Sequence, residues 1–489
     1  MKNLSTLQRT MKALLFAGLM ALVPVYGVSA SDKATATLDD AQMENLVRRS
    51  YQYIAMYNVI NNFALNEYNP MSTGGWNKSY MPETLADHTV KAIARPNNDT
   101  LYVITMLDLR AEPVVVQYPA FDSKFVSLET SAYDHYVDIP LSTTKGDFDK
   151  PVTMLYYTDR TVGYDGAPVK GVDEYMKMSG DFAIAFLRIM PHSAEPERLR
   201  KNLATMKEVT AKTLSEYLGQ PAKPVEKTQF PAFGRDADIF EKGGRYVLQF
   251  VFNHTTFDPN DEMDQAVLAA LKPLGVEPGQ YFNVANQATI GSPTITWESA
   301  IELDESDGKK FREIAERIAQ ESLAIWNSPD NPYLFDVFKP KGEMTLEPMV
   351  VQSAVGPIGN PADQAMYPGI GTTDGKPMNA MNDYVIRMSK DQLPPAIAFW
   401  SATLYDSKNG FFIPNERKKY SVGENGGMKL DDEGGIAIYI AAEKPEGVPE
   451  ENWLPINRKD QGLDIIMRVY QPDLEKMKTW TPPKAKLVK

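Results

Sequence analysis

The chain has 489 residues, with 51 Lys and Arg against 64 Asp and Glu for a formal net charge of −13, 43% hydrophobic residues and no cysteine. So acidic a balance argues against nucleic acid or an anionic membrane surface as partner, because both require a basic face. The absence of thiols excludes disulfides and cysteine nucleophiles, and the apolar content is that of a chain that folds rather than one that stays disordered.

Residues 1–30 read as a secretory signal peptide. Lys2, Arg9 and Lys12 precede an apolar run from Ala13 to Val25, and Val28-Ser29-Ala30 supplies small residues for cleavage before Ser31. Gly18 and Pro24 interrupt the run, and nothing later offers about 18 uninterrupted apolar residues, so no membrane insertion is expected. The mature protein is expected in the periplasm or outside the cell. Two or three domains are the natural division of a chain this long.

Leu46, Val47, Tyr51, Ile54, Ala55, Asn58 and Val59 recur at helical spacing and predict an amphipathic helix over 39–66. Asn69-Pro70 and Gly74-Gly75 mark loops. Arg95-Pro96-Asn97-Asn98-Asp99-Thr100 then gathers a guanidinium, two amides, a carboxylate and a hydroxyl between apolar runs. Pro96 fixes its own φ and pushes Arg95 out of the right-handed helical region, and the Asn and Asp side chains favour turns, so a stiff loop entering a strand at Leu101 is expected. Such a loop either contacts a ligand or serves as a turn, with Asn98 and Asp99 capping backbone and Arg95 paired to Asp99 or Asp108.

From 101 to about 190, short apolar or alternating runs at Val114–Tyr118, Lys124–Thr130, Tyr133–Ile139, Thr153–Thr158 and Phe182–Ile189 are bounded by Pro, Gly or Asp. Few helical patterns intervene, which favours an antiparallel sandwich over a parallel sheet. Helices are expected at 195–219, 261–274 and 306–326, with strands between them at Tyr246–Asn253 and Thr294–Ile301. Gly and Pro dominate 356–378. Strands return at Tyr384–Met388, Phe399–Tyr405, Gly435–Ala441 and Asp464–Tyr470; in the second, Trp400, Ala402 and Leu404 face opposite Ser401, Thr403 and Tyr405.

The fold class expected is therefore mainly β with a helical segment: two β-sandwich or jelly-roll domains plus a helical middle layer. The divisions are 31–190 for an N-terminal helix and β-sandwich, 191–345 for a mixed segment, 346–379 for a Gly/Pro-rich loop, and 380–489 for a C-terminal jelly-roll-like domain.

Arg95-Pro96-Asn97-Asn98-Asp99-Thr100-Leu101-Tyr102, followed by Leu107-Asp108-Leu109 and Glu112-Pro113, resembles the bacterial family of unknown function numbered 1254. Leu393-Pro394-Pro395, Phe399-Trp400-Ser401, Thr403-Leu404-Tyr405-Asp406, Asn452-Trp453-Leu454-Pro455 and Arg468-Val469-Tyr470 look like its usual companion, the family numbered 1214. The resemblance implies two β domains, one jelly-roll-like, with a helical segment between or beside them, and no settled activity. Glu433-Gly434-Gly435 stands where the family tail usually reads Asp-Gly-Ser.

No Gly-x-Ser-x-Gly elbow or His-Glu-x-x-His motif is present, and no Gly-x-x-x-x-Gly-Lys follows a strand, so no nucleotide cofactor is expected. A divalent metal is a candidate at Asp134, His135 and Asp138, although strand alternation would set His135 opposite the two carboxylates. Two functions fit. In one, the protein binds a polar small molecule or glycan in a cleft between its β domains, through Asn97, Asn98 and Thr100 and against a wall of Tyr102, Trp400, Tyr405 or Trp453. In the other, the cleft is a hydrolase site with Asp99 as base and Arg95 steadying negative charge. The leader itself is checked by N-terminal sequencing of exported material, which should begin within a few residues of Ser31 and not at Met1.

Overall fold

Side-chain alternation sorts the strands of this protein into two sandwiches, seen in a computed structural model that describes residues 38–91, 94–280, 305–328 and 330–488. The leader at 1–30 and the strand expected at 294–301 lie outside the described residues. The N-terminal part runs α1 (Asp40–Leu65), β1 (Lys78–Tyr80), β2 (Leu101–Asp108), β3 (Val114–Tyr118), β4 (Val126–Ala132), β5 (Val137–Ser142), β6 (Val152–Tyr157), β7 (Glu174–Lys177), β8 (Phe182–Ile189), α2 (Pro196–Met206), β9 (Thr210–Thr213) and α3 (Leu214–Tyr217). One sheet has the order β1-β2-β8-β4-β5 and the other β7-β6-β3-β9. Leu101, Val103, Ala185 and Leu187 of the first meet Val114, Val116, Met154 and Tyr156 of the second in one core.

The other face of the first sheet carries Tyr102, Glu129, Phe186 and Arg188, all buried. A sheet buried on both sides needs a cover, and α1 supplies it: Phe63 lies 6.4 Å from Phe186 and Tyr57 lies 5.4 Å from Tyr133, ring to ring. Because further helices pack on the far side of α1, it is buried continuously from Ser50 to Asn58 instead of along one stripe. An Asp39–Gln42 capping box sets its start.

The remainder runs α4 (Asp236–Glu241), α5 (Gly244–Asn253), α6 (Glu262–Leu271), α7 (Glu305–Trp326), α8 (Leu346–Val355), β10 (Ala365–Met366), β11 (Met378–Asn379), β12 (Tyr384–Met388), β13 (Ala396–Asp406), β14 (Ser421–Gly423), β15 (Ile436–Ala441), β16 (Trp453–Pro455), β17 (Gly462–Pro472), α9 (Leu474–Met477) and β18 (Ala485–Leu487). The sheets are β10-β17-β13-β14, with β11 also on β17, and β16-β15-β12-β18. Trp400, Ala402, Leu404, Leu463, Ile465 and Met467 point into the core between them. The alternate residues of β13 and β17, among them Ser401, Tyr405, Asp464, Ile466, Arg468 and Tyr470, therefore turn outward to the N-terminal sandwich. There Phe125 packs with Phe399 and Tyr470.

The chain thus adopts the expected class, mainly β with a helical segment, and Asp39–Lys489 form one compact unit. No helix among the described residues is long and apolar enough to cross a membrane. Three local expectations change. Tyr246–Asn253 is helix α5 rather than a strand, since its buried Val247, Leu248, Val251 and Phe252 follow helical spacing, and the left-handed Gly243 (φ 88°) turns the chain into it. The helix expected to 219 stops at Met206, and Thr210–Thr213 pairs with β3, a site where β-branched residues fit the pleat. Residues 346–355, placed in the Gly/Pro-rich loop, form α8: Pro348 falls in its first turn, where proline is tolerated, and Met349, Val350 and Val351 are buried.

Candidate functional site

The Arg95–Thr100 loop enters β2, and most of its polar side chains bond to the C-terminal sandwich. Asn97 closes the turn locally, its Oδ1 accepting from the backbone N–H groups of Asp99 (2.6 Å) and Thr100 (3.3 Å). Its Nδ2 donates outward to Tyr470 Oη at 2.7 Å. Asn98 donates to the Ala86 carbonyl at 2.6 Å and accepts from Ser421 Oγ at 3.3 Å, while Tyr405 Oη donates to the Pro96 carbonyl at 2.7 Å. Arg95 has φ 52°. That left-handed conformation costs an L residue about 1–2 kcal/mol. It is held by the Arg95 N–H bond to the Gly410 carbonyl (2.7 Å) and by the guanidinium on Asp464 (2.9 Å), which is neither of the two aspartates expected from the sequence.

Asp99 is 1% exposed, and its Oδ2 accepts from Ser401 Oγ (2.5 Å) and Tyr470 Oη (3.3 Å), side chains of β13 and β17 rather than backbone. Burial pushes its carboxyl above the usual range, while the charge of Arg468 and the hydroxyl donors pull the other way. Arg468, itself 4% exposed, donates to the Arg95 carbonyl at 3.0 Å and lies over the Tyr405 ring. The loop is therefore a clasp between the sandwiches.

Beside the clasp lies a cavity of about 100 Å³, which widens to about 910 Å³ when the open space at its mouth is counted. Arg95, Pro96 and Asn97 form one wall, Tyr102, Phe186 and Arg188 a second, and Ile466 and Arg468 a third. Phe63 of α1, Trp326 of α7 and Val355 of α8 close the helical side. Arg188 is paired behind the wall with the fully buried Glu129, donates to Asn360 Oδ1 at 2.7 Å and stacks on Phe186. Burial raises the Glu129 carboxyl against the pull of Arg188. At Gly359 any Cβ would run into the Phe338 ring, so glycine is what lets that ring lie on the backbone and serve as lining.

Of the residues expected at the site, Arg95, Asn97 and Tyr102 line the cavity; Asn98, Asp99 and Thr100 stand behind it. Trp400 is in the inner core of the C-terminal sandwich, Tyr405 holds the Pro96 carbonyl, and Trp453 donates to the Ala441 carbonyl at 2.8 Å. The proposed metal trio does not converge. His135 bonds Ser353 Oγ (2.7 Å) and the Pro357 carbonyl (2.8 Å), while Asp134 accepts from Ser179 Oγ (2.8 Å) and pairs with the Lys341 ammonium (3.0 Å), a cation already in place. Among the described residues no three His, Asp or Glu side chains are arranged to hold a metal.

Sequence reasoning missed Arg188, Phe186, Trp326, Phe338 and Tyr367 as lining residues. The available signal was the single arginine inside the apolar run Phe182–Ile189, since a charge in a doubly buried strand must have a partner and a reason. Arg468 stands in the motif Arg468-Val469-Tyr470 noted above, which entered only as part of the family resemblance.

Two β-sandwiches clasped by a polar loop beside a cavity are the class of protein this geometry defines. Residues 76–210 match the family model described as Protein of unknown function (DUF1254), and residues 364–474 match Protein of unknown function (DUF1214), so the chain pairs the two in the expected order. No curated protein matches. The crystal structure of the VPA0106 protein from Vibrio parahaemolyticus is similar to this chain with a TM-score of 0.63 and 22% identity, over 92% of this chain and 100% of that one, a likeness of fold. A structure of an uncharacterised protein from Burkholderia cenocepacia aligns with a TM-score of 0.42 and 14% identity, over 92% of this chain and 94% of that one.

His135 generates a pH prediction. Full burial holds its imidazole down to about 3, so the folded state keeps it neutral with both ring nitrogens bonded. A base depressed on folding leaves the unfolded chain binding more protons between the two pKa values, and its contribution is lost as pH falls below about 6.5, at about 1.4 kcal/mol per pH unit. His135→Asn, which tolerates the left-handed φ of 61°, should flatten the fall in unfolding free energy between pH 6.5 and 4 measured by urea titration. Equal slopes for both proteins would contradict a neutral buried His135.

Proposed function

We propose that the protein is exported by its leader to the periplasm or beyond, and there binds a small organic molecule in the cavity between the clasp, the first sheet and β17. The observation that carries this reading is that the polar loop and the C-terminal sandwich share one mainly apolar cavity with cationic side chains in its wall. Sites of this make-up bury most of a ligand's surface and orient it with a few polar groups. The lining, with Phe63, Phe186, Trp326 and Phe338, suits an apolar body better than a glycan, whose many hydroxyls would lose their hydration without partners.

A hydrolase working through Asp99 draws less support. Its carboxylate stands behind the lining, receives Ser401 and Tyr470, and is engaged in joining the sandwiches.

Ala94, Val355 and Gly356 line both the cavity and an outer basin, and so form a throat between them. Val355 is half-buried at the end of α8, with one side against the cluster of Trp326, Phe338 and Val351. Val355→Trp should plug the throat and leave folding intact. In a thermal-shift screen of sugars, organic acids and aromatic metabolites, compounds that stabilise the wild type should do nothing for Val355→Trp; at about 100 times its Kd a ligand adds about 2.7 kcal/mol. Stabilisation that persists in the variant would place the site elsewhere.

A further inference from the structure

The charges around the cavity are sorted. Its lining contains the guanidiniums of Arg95, Arg188 and Arg468 and no carboxylate. The acids that answer them stand outside the lining: Asp464 at 2.9 Å from Arg95, Glu129 on Arg188, and Asp99, whose charge acts on Arg468. A chain with a net charge of −13 thus presents only cations to this space.

Two of these cations are also short of hydrogen-bond partners. Arg468 Nη1 and Arg95 Nε are buried with no acceptor, although an Nη2 of each side chain is bonded. A buried N–H without a partner costs about 1–3 kcal/mol, and two of them belong to arginines in two walls of the same cavity. The rest of the lining is aromatic and aliphatic, including Phe186, Trp326, Phe338 and Ile466. The basin outside the throat adds Lys91 and Arg235 against the single acid Asp236.

We infer that the ligand is an organic carboxylate with an apolar body, its head accepting from Arg468 and Arg95 and its body lying against Phe186, Trp326 and Phe338. This rests on the cavity being the binding site, as proposed above. An ionised acceptor meets the arginines of the lining through charge-assisted bonds, about twice as strong as neutral ones, and a flat apolar body fills the aromatic walls. A neutral alcohol of the same shape satisfies fewer donors and brings no charge. An amine places a cation against three guanidiniums.

Titration calorimetry on the mature chain with hydrocinnamate, hydrocinnamyl alcohol and phenylpropylamine separates the possibilities, because the three share one body and differ in the head. The expected result is that hydrocinnamate binds at least about tenfold more tightly than the alcohol, as a charge-assisted bond predicts, that the amine does not bind, and that Val355→Trp loses hydrocinnamate. In Arg95→Met the carboxylate's advantage should shrink while alcohol binding is kept, which distinguishes head-group recognition from a general loss of the fold. Equal binding of carboxylate and alcohol, or preference for the amine, with loss of both in Val355→Trp, would overturn the carboxylate while leaving the cavity as the site. Binding that survives Val355→Trp, or no binding by any of the three, would overturn the carboxylate and the cavity together.

Discussion

A carboxylate buried to 1% exposure between two sandwiches is the constraint around which the rest of this protein is arranged. Asp99 is too far from water to be solvated, so its environment must be built from protein, and the builders are Ser401, Tyr470 and the charge of Arg468, all from strands that lie some 300 residues or more further along the chain. Those groups can reach it only if β13 and β17 turn their outer face to the loop. Arg468 in turn needs the Arg95 carbonyl, and Arg95 needs Asp464. Satisfying one charge thus fixes the register of the two halves.

The cavity is a by-product of that arrangement. Where the loop and β17 meet, side chains with fixed partners on one side leave a free edge on the other, and the aromatic rings of β2, β8 and α7 complete the enclosure. Groups that join the halves and groups that would meet a ligand therefore overlap: Arg468 serves both, and so does Arg95. The chain has little freedom to change its site without loosening its joint, which is a stability–function coupling of the ordinary kind.

Much of this was legible in the sequence, for reasons that differ by residue. The period-2 pattern of β13 and β17 told which residues share a face, and the density of Asn, Asp and Arg after Pro96 told that a structured loop enters β2. What covers each face was not legible. Trp400 and Trp453 looked like a ligand wall because aromatic rings are common there, yet alternation already set Trp400 opposite Ser401 and Tyr405, and it is the latter pair that reaches the loop. Arg188 was hidden inside an apolar strand, since only tertiary structure shows that Glu129 lies beside it. The Tyr246–Asn253 helix was lost to β-propensity for a similar reason: a run of Val, Leu and Phe fits a strand or a buried helix until its neighbours are known.

The joint between the sandwiches depends on Asp99 and Arg468 acting together. A double-mutant cycle of Asp99→Ala and Arg468→Met, followed by urea unfolding, measures this directly. Each single change should cost about 3 kcal/mol, by stranding a buried charge or leaving the Ser401 and Tyr470 hydroxyls unpaired, and the double mutant should be more stable than the sum of the singles implies by about 1–3 kcal/mol. Single costs that add to within about 0.5 kcal/mol would mean that the two residues do not communicate, and that the sandwiches are held together by their apolar contacts alone.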